Sequence, residues 1–130
     1  MVHTGLQDKV AIITGANHGI GAATAKALAA EGVAVLINFL RMPPLGEAAE
    51  SSNKADLTTP SLAYYNRIRS RSAEEVVQSI REMGGRAEAI EADLSDPAAI
   101  PFLFEQAETL LGLVDILVNN ADYCTADTFI

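Results

Sequence analysis

Three glycines, Gly15, Gly19 and Gly21, stand at the spacing G-x-x-x-G-x-G within Thr14-Gly-Ala-Asn-His-Gly-Ile-Gly21. The short β-branched run Val10-Ala-Ile-Ile13 precedes them, and apolar residues at helical period follow them. At a strand-to-helix junction each glycine has a physical use. Gly15 lets the chain turn sharply off the strand, while Gly19 and Gly21 let backbone approach an anion and let the helix pack closely on a sheet. The first amides of such a helix lie at its positive end. The chemistry this spacing suits is the holding of a pyrophosphate. No Gly-Lys-Ser/Thr follows, so the turn is not a P-loop. On this reading Gly15→Val drives a side chain into the phosphates. The alternative is a tight turn that merely joins strand to helix.

Groups able to carry covalent or acid–base chemistry are few. Cys124 is the single cysteine, which excludes a disulfide scaffold and a Cys-rich zinc site. Its possible partners His3 and His18 are far away in sequence, so no nucleophile–base pair and no metal-ligand set emerges. Glu74-Glu75 reads as the acidic first turn of a helix.

Several short elements must position these residues. Val10–Ile13 and Ala34-Val-Leu-Ile37 are apolar on both faces, as suits strands inside a parallel sheet. Between them Ile20, Ala23, Thr24, Ala27 and Leu28 mark a helix face, and Gly32 stands at its C-cap. Strand, helix and strand make a βαβ unit. From about 42 to 71, Pro43-Pro44, Gly46, Ser51-Ser52-Asn53 and Pro60 break every period, and the stretch reads as an inserted loop. Ser72 with Glu75 forms a capping box ahead of Val76, Val77, Ile80 and Met83, and Gly84-Gly85 ends that helix. A third strand lies within Ala87–Leu94. Asp96-Pro97 reads as a cap followed by Pro at the first helical position, opening a helix of Ile100, Leu103, Phe104, Ala107, Leu110 and Leu111 with a bend near Pro101. Val114–Val118 is a fourth strand, running into Asn119-Asn120-Ala121. The fold class is α/β with a parallel sheet.

Composition bounds the possible roles. The 130 residues are 49% hydrophobic, enough for a packed core in one domain. Nine Lys and Arg against seventeen Asp and Glu give a net charge of −8, which argues against nucleic acid or an anionic membrane as partner. The start has neither the basic nor the apolar part of a signal peptide, and no apolar run approaches the roughly 20 residues that span a bilayer. The expectation is a soluble, cytoplasmic protein.

Taken together, Thr14-Gly-x-x-x-Gly-Ile-Gly21, Asp93-Leu94 after the third strand and Asn119-Asn120-Ala121 after the fourth resemble the short-chain dehydrogenase/reductase family. Val10–Gly32 and Glu74–Ala121 are most similar to its 3-oxoacyl reductase and glucose-dehydrogenase-like members, and the resemblance is to the N-terminal part of that family. It implies a Rossmann-type parallel sheet of about four strands in order 3-2-1-4 with three helices, incomplete relative to the family. Residues 1–130 would be the N-terminal dinucleotide-binding part, with 42–71 as its insertion.

The resemblance also implies site residues. Gly15, Asn17, His18, Gly19, Ile20 and Gly21 would form the phosphate and ribose turn. Asp93 would accept a hydrogen bond from the adenine amino group with Leu94 beside the ring, unless Asp93 merely caps a helix or ends a strand. Asn120 and Ala121 would line the cofactor near its second ribose, with Asn119 bracing the sheet. An acid at the end of the second strand would bind the ribose 2′-hydroxyl of NAD, and an Arg would accept the 2′-phosphate of NADP. Phe39 stands about where that acid would be and Arg41 is the nearest cation, which favours NADP over NAD. The basic cluster Arg67, Arg69 and Arg71 is a second place for the phosphate, or else a solvated loop.

Two departures from the family matter. Asp122 stands where its Asn-Asn-Ala-Gly has glycine, and would crowd or repel the nicotinamide end. The family's catalytic Ser and Tyr-x-x-x-Lys are not found. Tyr64 and Tyr65 are followed four residues on by Ile68 and Arg69, and Tyr123 by Asp127. No residue here is assigned a catalytic role. The expectation is the NAD(P)-binding portion of an oxidoreductase, inactive alone. The alternatives are a non-catalytic nucleotide-binding or assembly module, or a truncated fragment without function. The fourth strand is expected to be an exposed edge that pairs with another copy or partner.

Overall fold

All six residues of Ala34–Phe39 are buried, and so are all four of Val10–Ile13. β-Branched and leucine side chains on both faces leave such strands no stable place except between two layers of helix. The computed structural model describes residues 2–41, 67–68 and 70–122. In chain order they form β1 (Val10–Ile13), α1 (Gly19–Ala30), β2 (Ala34–Phe39), α2 (Glu74–Glu82), β3 (Ala87–Glu91), α3 (Ala99–Leu110) and β4 (Ile116–Val118). The strands form one sheet in the order β3-β2-β1-β4, with every pair parallel. Val10 aligns with Ala34, Phe39 with Glu91 and Ile13 with Val118, so the C-terminal ends of the strands lie along one edge. This is the α/β architecture, strand order and helix number expected from the sequence.

Alternation along each strand divides the core. Ile13, Val35, Ile37 and Phe39 pack with Ala25 and Ala29 of α1 and with Val76, Val77 and Ile80 of α2. Ile12 and Leu36 point the other way, onto Leu103 and Ala107 of α3. Each fully buried aliphatic side chain stabilises this arrangement by about 1.5–3 kcal/mol relative to exposure. Among the described residues no helix is long and apolar enough to cross a membrane.

Some local expectations shift. The buried face of α1 is Gly21, Ala22, Ala25 and Ala29, with Leu28 partly covered, and not the face of Ile20, Ala23 and Ala27. Apart from Thr24 and Lys26 the helix is built of glycine, alanine, isoleucine and leucine, so periodicity only weakly chooses a side. Small residues win the sheet-facing positions because they let the helix approach the strands. Ser72 is not the residue immediately before α2. Ala73 is, and the Ser72 hydroxyl instead accepts the Glu74 amide at 3.4 Å. Asp96 likewise closes a turn upstream of α3, accepting the Ala98 amide at 3.0 Å. Pro101 therefore falls third in α3, among amides that have no intrahelical acceptor, and its missing N–H forces no bend. β4 starts at Ile116, one residue after Asp115, whose amide donates to the Val10 carbonyl at 2.9 Å and whose carboxylate accepts the Val10 amide at 2.9 Å.

Of the stretch 42–71 read as an insertion, residues 42–66 and 69 lie outside the described residues. The expectations for Tyr64, Tyr65, Arg69, Tyr123, Cys124 and Asp127 lie outside them too.

Candidate functional site

The glycine turn, Asp93-Leu94 and Asn119-Asn120-Ala121 each follow the C-terminal end of a strand, and the parallel register gathers those ends on one edge of the sheet. Open α/β sheets place their ligand crevices on this edge. Hydrogen bonds stitch the four ends together. The Thr14 hydroxyl accepts the amides of Asn120 at 3.0 Å and Ala121 at 2.9 Å, and the Asn120 side-chain amide donates to the carbonyls of Thr14 at 3.1 Å and Gly15 at 3.2 Å. The Ala16 amide donates to the Asn38 carbonyl at 3.0 Å, and the buried Asn38 side chain donates to the Ala92 carbonyl at 3.1 Å. A buried polar side chain is stable only when satisfied in this way.

The glycine turn is open on one side and closed on the other. Gly15 has φ +65°, and a Cβ there would lie 2.9 Å from the Ala121 Cα. Glycine is needed for the left-handed backbone and for the close approach of the loop after β4. The side chain of Gly15→Val would meet Ala121, which replaces the expectation that it would enter the phosphates. At Gly21 a Cβ would lie 2.6 Å from the Asn120 side-chain nitrogen and 2.7 Å from the Gly15 carbonyl, so this glycine serves packing. Gly19, with φ +59°, has nothing within 4 Å of a built Cβ, and Ile20 is 80% exposed.

The start of α1 supplies the donors. The His18 carbonyl accepts the Ala22 amide, the first bond of the helix, and the His18 side chain does not cap it. Among the described residues the amides of Gly19, Ile20 and Gly21 have no protein acceptor. Three bare amides at a positive helix end, with open space beside Gly19, fit a diphosphate. The Asn17 side chain is buried and donates to the Arg71 carbonyl at 2.8 Å, tying the turn to the segment before α2.

The remaining residues divide. Asp93 is exposed, and one carboxylate oxygen accepts both the Ser95 amide at 2.9 Å and the Ser95 hydroxyl at 2.7 Å. The hydroxyl bond, then the amide bond, holds its carboxyl below the usual aspartate value. No bond from a described residue reaches the other carboxylate oxygen. Leu94 packs on the α3 side of the core, and Phe39 is buried on the α1–α2 side. Arg41 is exposed at the end of β2, with Nε 2.7 Å from Glu91. Arg71 reaches Glu75 at 3.6 Å, and Arg67 is exposed. Asn119 is exposed, and the brace assigned to it is made by Asn120. Asp122 is exposed beyond Ala121. Thr14 and Asn38 went unnoticed as braces. Their one local signal is a polar residue ending a buried apolar run.

Comparison with known proteins agrees with this geometry. The family model described as short chain dehydrogenase matches residues 9–65 and 61–129. An uncharacterized oxidoreductase of Methylorubrum extorquens is 38% identical over 116 residues, covering 89% of this chain and 36% of that protein. A 3-oxoacyl-[acyl-carrier-protein] reductase of Synechocystis is 34% identical over 127 residues, 98% of this chain and 40% of that one. Among solved structures, a short chain dehydrogenase of Burkholderia cenocepacia in complex with NADP superposes with a TM-score of 0.67 at 36% identity, covering 95% of this chain and 39% of that one. The chain spans about a third of the length of the first curated relatives it matches.

Proposed function

The chain belongs to the short-chain dehydrogenase family, and we propose that it is the dinucleotide-binding portion of an oxidoreductase acting between NADP(H) and a carbonyl or alcohol. When bound, the nicotinamide cofactor supplies or accepts the hydride. This chain's own residues bind and orient it. The amides of Gly19, Ile20 and Gly21 hold the diphosphate, with Asn17 and His18 shaping the turn and Gly15 joining it to β1. Asp93 accepts the adenine amino group through its second carboxylate oxygen, with Leu94 beneath. Asn120 and Ala121 border the second ribose, and Arg41 beside Phe39 meets the 2′-phosphate. Residues 1–130 are one part of a Rossmann domain with 42–71 inserted, and the family's Tyr-x-x-x-Lys pair is not among them. A cytoplasmic location belongs to the same reading.

The observation that carries the reading is the row of unengaged amides opening α1 beside open space. The NADP complex of the Burkholderia relative supports the choice of cofactor. Calorimetric titration of the 130-residue chain with NADPH and with NADH tests it. Saturable heat, stronger with NADPH, is the expected result, and no heat with either overturns it.

One feature favours a second reading, an assembly module. β4 ends the sheet among the described residues, and Leu117 on it is 47% exposed. An uncovered strand edge with apolar side chains pairs readily with another chain. Binding of neither cofactor by a self-associated chain would favour this reading.

A further inference from the structure

Arg41 leaves the end of β2 with no strand partner of its own, so the backbone does not dictate where its long side chain goes. Its direction is set from the neighbouring strand. The Arg41 Nε donates to the Glu91 carboxylate at 2.7 Å, with the two side chains 58% and 36% exposed. Glu91 aligns with Phe39 in the β2–β3 register, two residues before Arg41, and lies two residues before Asp93. Among the described residues neither terminal nitrogen of Arg41 makes a hydrogen bond. A guanidinium held through Nε keeps its outer donors.

We propose that Glu91 is a positioning residue for the 2′-phosphate of the cofactor, acting through Arg41, an inference that rests on the proposed dinucleotide function. Two effects oppose each other. Holding the Arg41 side chain before the ligand arrives spares rotamer entropy that binding would otherwise lose. The Glu91 charge repels the phosphate, but both groups are at the surface, where the high dielectric constant of water weakens that repulsion. The single short bond through Nε puts positioning ahead of repulsion.

The test uses the 130-residue chain and two probes that differ by one phosphate, adenosine 2′,5′-bisphosphate and 5′-AMP, titrated by calorimetry. The unsubstituted chain prefers the bisphosphate. Arg41→Ala abolishes that preference. Glu91→Ala cuts it about tenfold, the size of one charge-assisted hydrogen bond. Glu91→Gln, which still offers an oxygen to Nε, keeps most of it. Glu91→Ala adds no further loss on top of Arg41→Ala, because the two act as a unit. The pair is exposed, so these substitutions leave folding nearly unchanged. An undiminished or larger preference in Glu91→Ala overturns the proposal. So do equal losses in Glu91→Ala and Glu91→Gln. Binding of 5′-AMP with no preference for the bisphosphate overturns it and leaves the dinucleotide reading standing. Binding of neither nucleotide overturns both.

Discussion

The side-chain amide of Asn120 donates to two successive carbonyls, 3.1 Å to Thr14 and 3.2 Å to Gly15, and so pins the loop after β4 to the turn after β1. The Thr14 hydroxyl answers by accepting the Asn120 and Ala121 amides. The glycine turn is thus held from a point over a hundred residues away, and the row of amides that opens α1 keeps its place because of it.

Asn120→Ala should therefore loosen both the fold and the turn. Removing the donor leaves two carbonyls short of a partner in a half-covered site, a loss of about 1–3 kcal/mol. A lower urea midpoint measured by circular dichroism, with weaker NADPH binding, is the expected outcome. Asn119→Ala, at an exposed position, should move the midpoint far less.

The glycines should separate stability from binding. Gly19→Ala meets only open space, so it costs the left-handed backbone strain of about 1–2 kcal/mol. Gly15→Ala incurs the same strain and adds overlap with the Ala121 Cα, a further cost of about 1–3 kcal/mol. Thermal melts should rank Gly15→Ala below Gly19→Ala. The Gly19→Ala chain, still folded, should lose NADPH affinity because its methyl group stands beside the amides.

Asp93 should titrate below the usual aspartate range, because the Ser95 hydroxyl and then the Ser95 amide favour its charged form. A group depressed in the folded state stabilises above its unfolded pKa, and that contribution is lost as the pH falls through the folded value. The Asp93–Ser95 turn should thus be intact at neutral pH and open only in acid. An NMR titration of the Asp93 carboxyl checks this, with Ser95→Ala expected to raise its midpoint.

How much of this was legible follows from how local each feature is. Val10–Ile13 and Ala34–Ile37 declare themselves as buried strands because burial on both faces leaves its mark on each of those residues, whereas the last two residues of β2, polar Asn38 and Phe39, extend the strand beyond that run. The buried face of α1 is hard to read because half of its residues are alanine, which marks no side strongly. The Thr14–Asn120 brace was not seen because spacing along the chain carries no record of a contact 106 residues apart. The direction of Arg41 was open for the same reason, since it depends on Glu91, 50 residues on. Gly15 was rightly singled out, but what fills the space beside it is Ala121, which only the folded chain brings there.

The most direct measurement is an amide-resolved NMR titration of the 130-residue chain with NADPH. Large, saturable shifts at Gly19, Ile20 and Gly21, with smaller ones at Asp93 and Ala121, are the predicted result. Saturation with NADPH that leaves those three amides unmoved while others shift would contradict the account.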